Sequence, residues 1–111
     1  MNLKQRDFYN SFRSGMPLFY IFYLYLKEEL HIKPDPSQFY EFPQDRAEQL
    51  NNLNYVVQIQ YKINVPIYLT PQDYIDHFEP NFLMLQLYYL YCKFKHSKPT
   101  IDKTPDLAFK D

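Results

Sequence analysis

The sequence predicts an all-α fold, a compact bundle of four main helices plus short connecting helices. Two apolar runs, residues 17–26 and 81–94, have the length of helices, and residues 44–63 repeat apolar side chains at helical spacing. The nine prolines lie outside these segments or at their edges, and proline inside a helix breaks it. The prolines therefore indicate stops and starts between helices.

The N-terminal part is predicted to contain two helices, over residues 3–12 and 16–30. Gly15 is the only glycine in the chain, and we expect it at a backbone position with positive φ. Ser14 is suited to cap the second helix, and Pro17 suits its first turn. The second helix is apolar on nearly all sides, which predicts that it is buried on more than one side.

A third helix is predicted over residues 44–63, after a proline-containing loop over residues 31–43, with Gln44 or Asp45 at its start. An apolar stripe at helical spacing is formed by Ala47, Leu50, Leu53, Val57 and Tyr61. Residues 56–60 alternate between apolar side chains and glutamines, which would also suit a strand. The length of the segment and the pattern before it favour a helix.

The end of the third helix and the start of the next are marked by residues with known backbone preferences. Asn64 can adopt the left-handed conformation that ends a helix, and Pro66 prevents continuation. Thr70, Pro71 and Asp73 then supply a capping hydroxyl, a first-turn proline and an acid at the third position. These residues predict a short helix that reaches about residue 77.

Glu79 and Pro80 repeat this start signal, and the last helix is predicted over residues 81–95. The polar, proline-interrupted residues after it predict an extended tail. The predicted organisation is one domain over residues 1–95 and a polar tail over residues 96–111.

Composition excludes several classes of function. The chain has 12 basic and 13 acidic residues, so it lacks the excess of cations that nucleic acid binding requires. Cys92 is the only cysteine, and no histidine or cysteine spacing suggests a metal site. Asp73 and His77 are spaced as an acid–base pair, but capping of the short helix explains Asp73 equally well. We therefore predict no catalytic, cofactor or metal site and no enzymatic activity.

Both apolar runs are shorter than the roughly 20 residues that span a bilayer, so buried helices are expected rather than a membrane span. The N-terminus also lacks the pattern of a signal peptide. Cys92 is expected to be a buried, inert thiol; a reactive thiol next to Lys93 is the alternative.

The motifs, taken in order, resemble the calponin homology domain. The matching segments are Phe12 to Gly15 (Phe-x-x-Gly), Asn52-Leu53, Ile63 to Pro66, Leu69 to Ile75, and Tyr91 to Phe94 (Tyr-x-x-Phe). The chain looks like a divergent member whose long first helix is reduced to about the first dozen residues. Asn64 and Gln86 stand where this family usually has a glycine and an aromatic residue.

The resemblance implies a non-enzymatic docking module that binds a cytoskeletal polymer or a cytoskeleton-associated protein in the cytoplasm. A small, nearly neutral single domain suits a fixed component of a microtubule-based assembly, such as a cilium or flagellum, with tubulin as the expected partner. The alternatives are an actin-binding module and an accessory subunit of an organellar or membrane-associated complex.

The candidate partner surface lies at the end of the last helix. Basic residues cluster there, and two exposed tyrosines are expected beside them: Lys93, Lys95, His96 and Lys98, with Tyr88 and Tyr89. Such a cluster attracts the acidic surface of a filament. Cations at a helix C-terminus also complement the helix dipole, which is the alternative explanation.

Overall fold

Four α-helices account for most of the described chain: α1 (Met16–Tyr25), α2 (Arg46–Lys62), α3 (Pro71–Asp76) and α4 (Pro80–Phe94). The structure is a computed structural model that describes residues 11–26, 34–97 and 109–110. Within these ranges a 3-10 turn covers Pro36–Gln38, and the only β-type pairing is an isolated parallel bridge between Tyr40 and Lys110. The predicted helical fold is confirmed. Most of the helix predicted over residues 3–12 lies outside the described residues.

Helix α1 begins at Gly15, whose φ of 80° lies in the left-handed region as expected. Gly15 occupies the N-cap position and makes no side-chain bond, so Ser14 caps the helix from the residue before the N-cap. The Ser14 hydroxyl accepts a hydrogen bond from the Met16 amide at 3.2 Å and donates one to the Ser11 carbonyl at 2.7 Å. Pro17 lies in the first turn, as predicted.

Helix α1 is also shorter than predicted, because the chain leaves the helix at Leu26, which has an extended backbone (φ −85°, ψ 139°). The side chain of Leu26 is still buried. Its apolar character therefore predicted burial correctly but not a helical backbone. Residues 27–30, the remainder of the predicted helix, lie outside the described residues.

Helix α2 is capped by Asp45, whose carboxylate accepts a hydrogen bond from the Glu48 amide at 2.9 Å. It is a helix throughout, so the strand alternative is wrong. At its end Asn64 has a φ of 60°, and its amide bonds to the Tyr61 carbonyl at 3.2 Å while the Val65 amide bonds to the Gln60 carbonyl at 3.0 Å. This pair of bonds is the Schellman arrangement, and the left-handed stop predicted at Asn64 is confirmed.

The predicted apolar stripe of α2 does not describe its buried face. Tyr61 is 78% exposed, and Ala47 is exposed as well. The face that is buried consists of Asn52, Leu53, Val56, Ile59 and Gln60. The buried face includes the amide side chains of Asn52 and Gln60, which the apolar pattern predicts to face solvent. The predicted stripe therefore does not coincide with the face that is buried.

Helix α3 begins with the capping box that Thr70 and Asp73 predicted. The Asp73 amide donates to the Thr70 hydroxyl at 3.2 Å, and the Thr70 amide donates to the Asp73 carboxylate at 3.0 Å. These bonds hold the pKa of Asp73 below its usual value. At the other end of α3, Asp76 pairs with Arg46 through two bonds of 2.6 and 2.7 Å, at the surface of the domain.

Helix α4 begins at Pro80, but Glu79 does not repeat the side-chain cap that was predicted for it. Its side chain makes no capping bond, and its backbone carbonyl accepts from the amides of Phe82 and Leu83 at 3.0 and 3.1 Å. Glutamate has a longer side chain than the preferred capping residues, which explains the difference from Thr70. Leu83, Gln86, Leu90 and Phe94 form the buried side of α4.

The core joins α1 to the segment before α2. The rings of Phe19 and Phe39 are 4.6 Å apart, and both side chains are fully buried. Phe109 packs on Phe19 at 5.5 Å, and the Lys110 amide donates to the Phe39 carbonyl at 2.8 Å. No sequence signal predicted these two contacts near the C-terminus; the boundary between domain and tail at residue 95 stays a prediction.

Gln60 and Gln86 are both fully buried but differ in their partners. Neither amide atom of Gln60 has a hydrogen-bond partner among the described residues. Gln86 donates to the Pro66 carbonyl at 2.8 Å and accepts from the Tyr68 amide at 3.0 Å. Gln86 therefore ties α4 to the segment between α2 and α3.

Methionine at these two positions is expected to change stability in opposite directions. Gln60→Met removes an unpaired buried amide and should raise the free energy of unfolding by about 1 kcal/mol. Gln86→Met leaves the partly buried Tyr68 amide and the Pro66 carbonyl without their partner and should lower it by about 1–2 kcal/mol. Urea denaturation of the two variants beside the wild type measures both shifts. Shifts of the same sign would contradict the assignment of partners.

Candidate functional site

The outer face of α4 carries six of the eleven exposed large apolar side chains of the described chain. It consists of Phe82, Met84, Leu85, Tyr88, Tyr89 and Tyr91, which are 39–62% exposed. A helix that is apolar on all sides is normally buried on all sides. Here the described residues cover only one side of α4, and the side chains on its other side are exposed.

The direction of each side chain follows from helix geometry, in which successive residues are about 100° apart. Tyr88 and Leu85 lie nearly opposite the buried side of α4. Met84 and Tyr91 form one flank of the outer face, and Tyr89 forms the other. Sequence reasoning named Tyr88 and Tyr89 but missed Phe82, Met84, Leu85 and Tyr91. The apolar character of the whole helix was the available signal, but it was interpreted as core packing.

Tyr89 is held in place by its neighbours. Its ring lies 5.5 Å from the ring of Tyr68, and the nearby Tyr89 hydroxyl raises the pKa of Tyr68. Tyr88 packs edge-on against Tyr89 at 5.9 Å. The nearby thiol of Cys92 raises the pKa of Tyr88. Cys92 is only half-buried, so the expectation of a buried thiol is not met.

The predicted basic cluster surrounds the end of α4 without forming one patch. Lys93 lies in the last turn, Lys95 follows directly, and His96 comes next; all three are exposed. Lys93 and Lys95 point about 160° apart around the helix axis, to opposite flanks of the outer face. In the described ranges neither is part of an ion pair; the one such pair there joins Arg46 and Asp76. Lys98 lies outside the described residues.

An apolar groove of about 390 Å³ runs beside the outer face, between α1 and α4. Ile21 and Tyr25 line it from α1, and Leu87 and Phe94 line it from α4; the rings of Tyr25 and Phe94 stack at 5.4 Å. Lys95 contributes to its rim. The groove extends the apolar surface of α4 toward α1.

The candidate acid–base pair, Asp73 and His77, lies in the first turn of α3 and at its C-cap. Asp73 is engaged with Thr70 in the capping box, which favours the capping interpretation over an acid–base pair with His77. Among residues 11–26, 34–97 and 109–110, no group of three potential metal ligands comes together. Nor does any helix in these ranges have the length and hydrophobicity needed to cross a bilayer.

The described residues form a helical bundle in which one apolar helix is half exposed and ends in basic residues. The family model of the calponin homology (CH) domain matches residues 2–98, so the chain belongs to the calponin homology family. No curated protein and no solved structure matches it. Calponin homology domains are generally non-enzymatic binding domains, and membership indicates a module that binds cytoskeletal or cytoskeleton-associated proteins.

The family match covers each of the motifs named from the sequence. Gly15 lies close to Asn52: a Cβ added to Gly15 would be 3.3 Å from the Cβ of Asn52. Asn64 ends α2, Pro66 is held by Gln86, and Thr70, Pro71 and Asp73 start α3. Phe94 is buried in the last turn of α4. Each of these residues therefore has a role in the fold.

Proposed function

We propose that this domain is a docking module of a microtubule-based assembly, such as a cilium or flagellum, and that it binds tubulin through the basic end of α4 (Lys93, Lys95 and His96). One observation carries the proposal: the exposed tyrosines of the outer face continue directly into exposed cations that lack acidic partners in the described chain. Tubulin presents an acidic surface, to which such cations are attracted.

The arrangement of the two lysines supports contact with more than one acidic group. Lys93 and Lys95 extend to opposite flanks of the helix, so one docked helix end reaches two separated carboxylates. Tyr88 and Tyr89 lie one turn before them and supply aromatic contact area, which is typical of interface anchors. The chain carries a net charge of −1, so the attraction is local to this helix end and does not come from the whole domain.

Cosedimentation with polymerised tubulin tests the proposal. We expect the chain to pellet with microtubules, and to pellet several-fold less at about 200 mM salt than at about 50 mM, because salt screens exposed charges. The Lys93→Glu/Lys95→Glu variant should lose most of this binding. Lys62→Glu, which changes an exposed lysine at the end of α2, is the matched control and should bind like the wild type.

Two further samples identify the partner. Microtubules whose acidic C-terminal tails have been removed by protease should bind the chain more weakly. Actin filaments form a parallel set, and pelleting with actin alone would replace the microtubule proposal by the actin alternative. Pelleting with neither polymer would overturn the proposal.

A further inference from the structure

A second regularity of α4 points toward solvent and runs into its basic end. Five residues are spaced alternately four and three apart, four on α4 and the last at its C-cap: Asn81, Leu85, Tyr88, Cys92 and Lys95. This line, the outward ridge, lies opposite the buried side of α4 over its first four members, and Lys95 lies toward the flank of Tyr91. A 4-3 spacing with apolar central members is the pattern by which two helices pack along a common seam.

We propose that a second copy of this chain docks on the outward ridge in the antiparallel direction, forming a two-fold symmetric dimer. The midpoint of the ridge is Tyr88, so the two-fold axis passes beside it and Tyr88 faces Tyr88 of the other copy. Leu85 then faces Cys92 of the other copy, and Asn81 faces Lys95. A two-fold interface uses the same patch on both copies, and this ridge is complementary to itself.

Charge decides the direction of pairing. Glu79 stands at one end of α4, and Lys93, Lys95 and His96 stand at the other. Antiparallel pairing brings Lys95 of each copy to the Glu79 end of the other and opposes the two helix dipoles. Parallel pairing would place three basic residues against three. The net charge of −1 adds almost no repulsion between whole domains.

The available area decides how strong the dimer is. The six apolar side chains of the outer face are on average about half exposed, and an aromatic side chain buries 150–250 Å² when fully covered. The face therefore supplies roughly 500–600 Å² per copy, about 1,100 Å² in total. This is close to the lower limit of about 1,200 Å² for stable interfaces, so we expect a weak, reversible dimer.

Sedimentation equilibrium of the full chain tests the dimer without any filament, so its outcome is independent of the tubulin proposal. From about 5 to 500 μM the apparent mass should rise from 13.7 kDa toward twice that value. Tyr88→Glu should weaken association at least tenfold. Tyr61→Glu, at a tyrosine on α2 that is 78% exposed, is the matched control and should leave association unchanged. Far-UV circular dichroism verifies that each variant is folded. If Tyr88→Glu does not fold, Leu85→Asp replaces it and should weaken association in the same way.

Disulfide trapping tests the direction and register. Under a mild oxidant, Leu85→Cys should form a covalent dimer, because residue 85 faces Cys92 of the other copy. The wild type should not, since its two Cys92 residues lie about 12 Å apart along the axis, beyond the reach of a disulfide. Leu85→Cys/Cys92→Ser should not either. A chain that stays at 13.7 kDa throughout, or a wild type that crosslinks as readily as Leu85→Cys, would overturn the proposal.

Discussion

Replacing Asn52 with alanine is expected to lower the free energy of unfolding by about 3–5 kcal/mol. Asn52 is fully buried. Its amide nitrogen donates to the carbonyls of Ser14 and Tyr40, each at 2.8 Å, and its oxygen accepts from the Tyr40 amide at 2.8 Å. One side chain therefore joins α2 to the start of α1 and to the segment before α2.

Stability is lost because the backbone groups that bond to Asn52 remain in the protein after the substitution. Removing the amide leaves backbone groups of Ser14 and Tyr40 without their bonds at a partly buried site, at about 1–3 kcal/mol for each unpaired group. Asn52→Asp tests the geometry without changing the size of the side chain. A carboxylate cannot donate to the two carbonyls, so this variant should also be strongly destabilised at neutral pH.

Urea denaturation followed by circular dichroism measures the effect, with Asn54→Ala as the matched control. Asn54 is an exposed asparagine two residues later on the same helix, and its substitution should shift stability by less than about 0.5 kcal/mol. A loss at Asn52 within 1 kcal/mol of the loss at Asn54 would show that Asn52 does not connect these segments.

Gly15→Ala is expected to lower the free energy of unfolding by about 2–4 kcal/mol, from two costs that add. The φ of 80° is unfavourable for any residue with a Cβ. In addition, a Cβ at this position would lie 3.0 Å from the Phe39 ring and 3.3 Å from the Cβ of Asn52. Both neighbours belong to the packed core and have little room to move.

Asn64 provides the control that separates these two costs. It also has positive φ, at 60°, but it is exposed at the end of α2. Asn64→Ala therefore carries only the backbone cost, about 1 kcal/mol, and Asn64→Gly should be neutral or stabilising. Thermal and urea denaturation of the three variants measure the difference. Equal losses for Gly15→Ala and Asn64→Ala would show that the close contacts at Gly15 do not constrain the core.

The helix ends were the features that sequence reasoning predicted best. Asp45, Asn64 and the pair Thr70 and Asp73 each act through atoms at most five residues away along the chain. Such bonds depend on local backbone geometry, so residue type and spacing were enough to predict them. Glu79 shows the limit: it was expected to act as a cap, but its longer side chain makes no capping bond.

The buried face of α2 was not predictable in this way. Asn52 is buried because Ser14, 38 residues earlier, and Tyr40, 12 residues earlier, provide its partners. No pattern within α2 encodes those positions. Gln60 is buried without a partner among the described residues, so residue type again misled the prediction. The spacing of apolar residues therefore did not predict the buried face of α2, because that face contains Asn52 and Gln60.

The sequence alone determined that this chain is helical, where most of its helices begin and end, and that it resembles a calponin homology domain, because caps and family motifs are local in the chain. It also identified Tyr88, Tyr89, Lys93, Lys95 and His96 as surface candidates. Only the tertiary structure decided which side of α4 is covered and that the two lysines lie on opposite flanks. A helix that is apolar on every side contains no information about which side its neighbours will take, since that depends on contacts with residues distant in the chain.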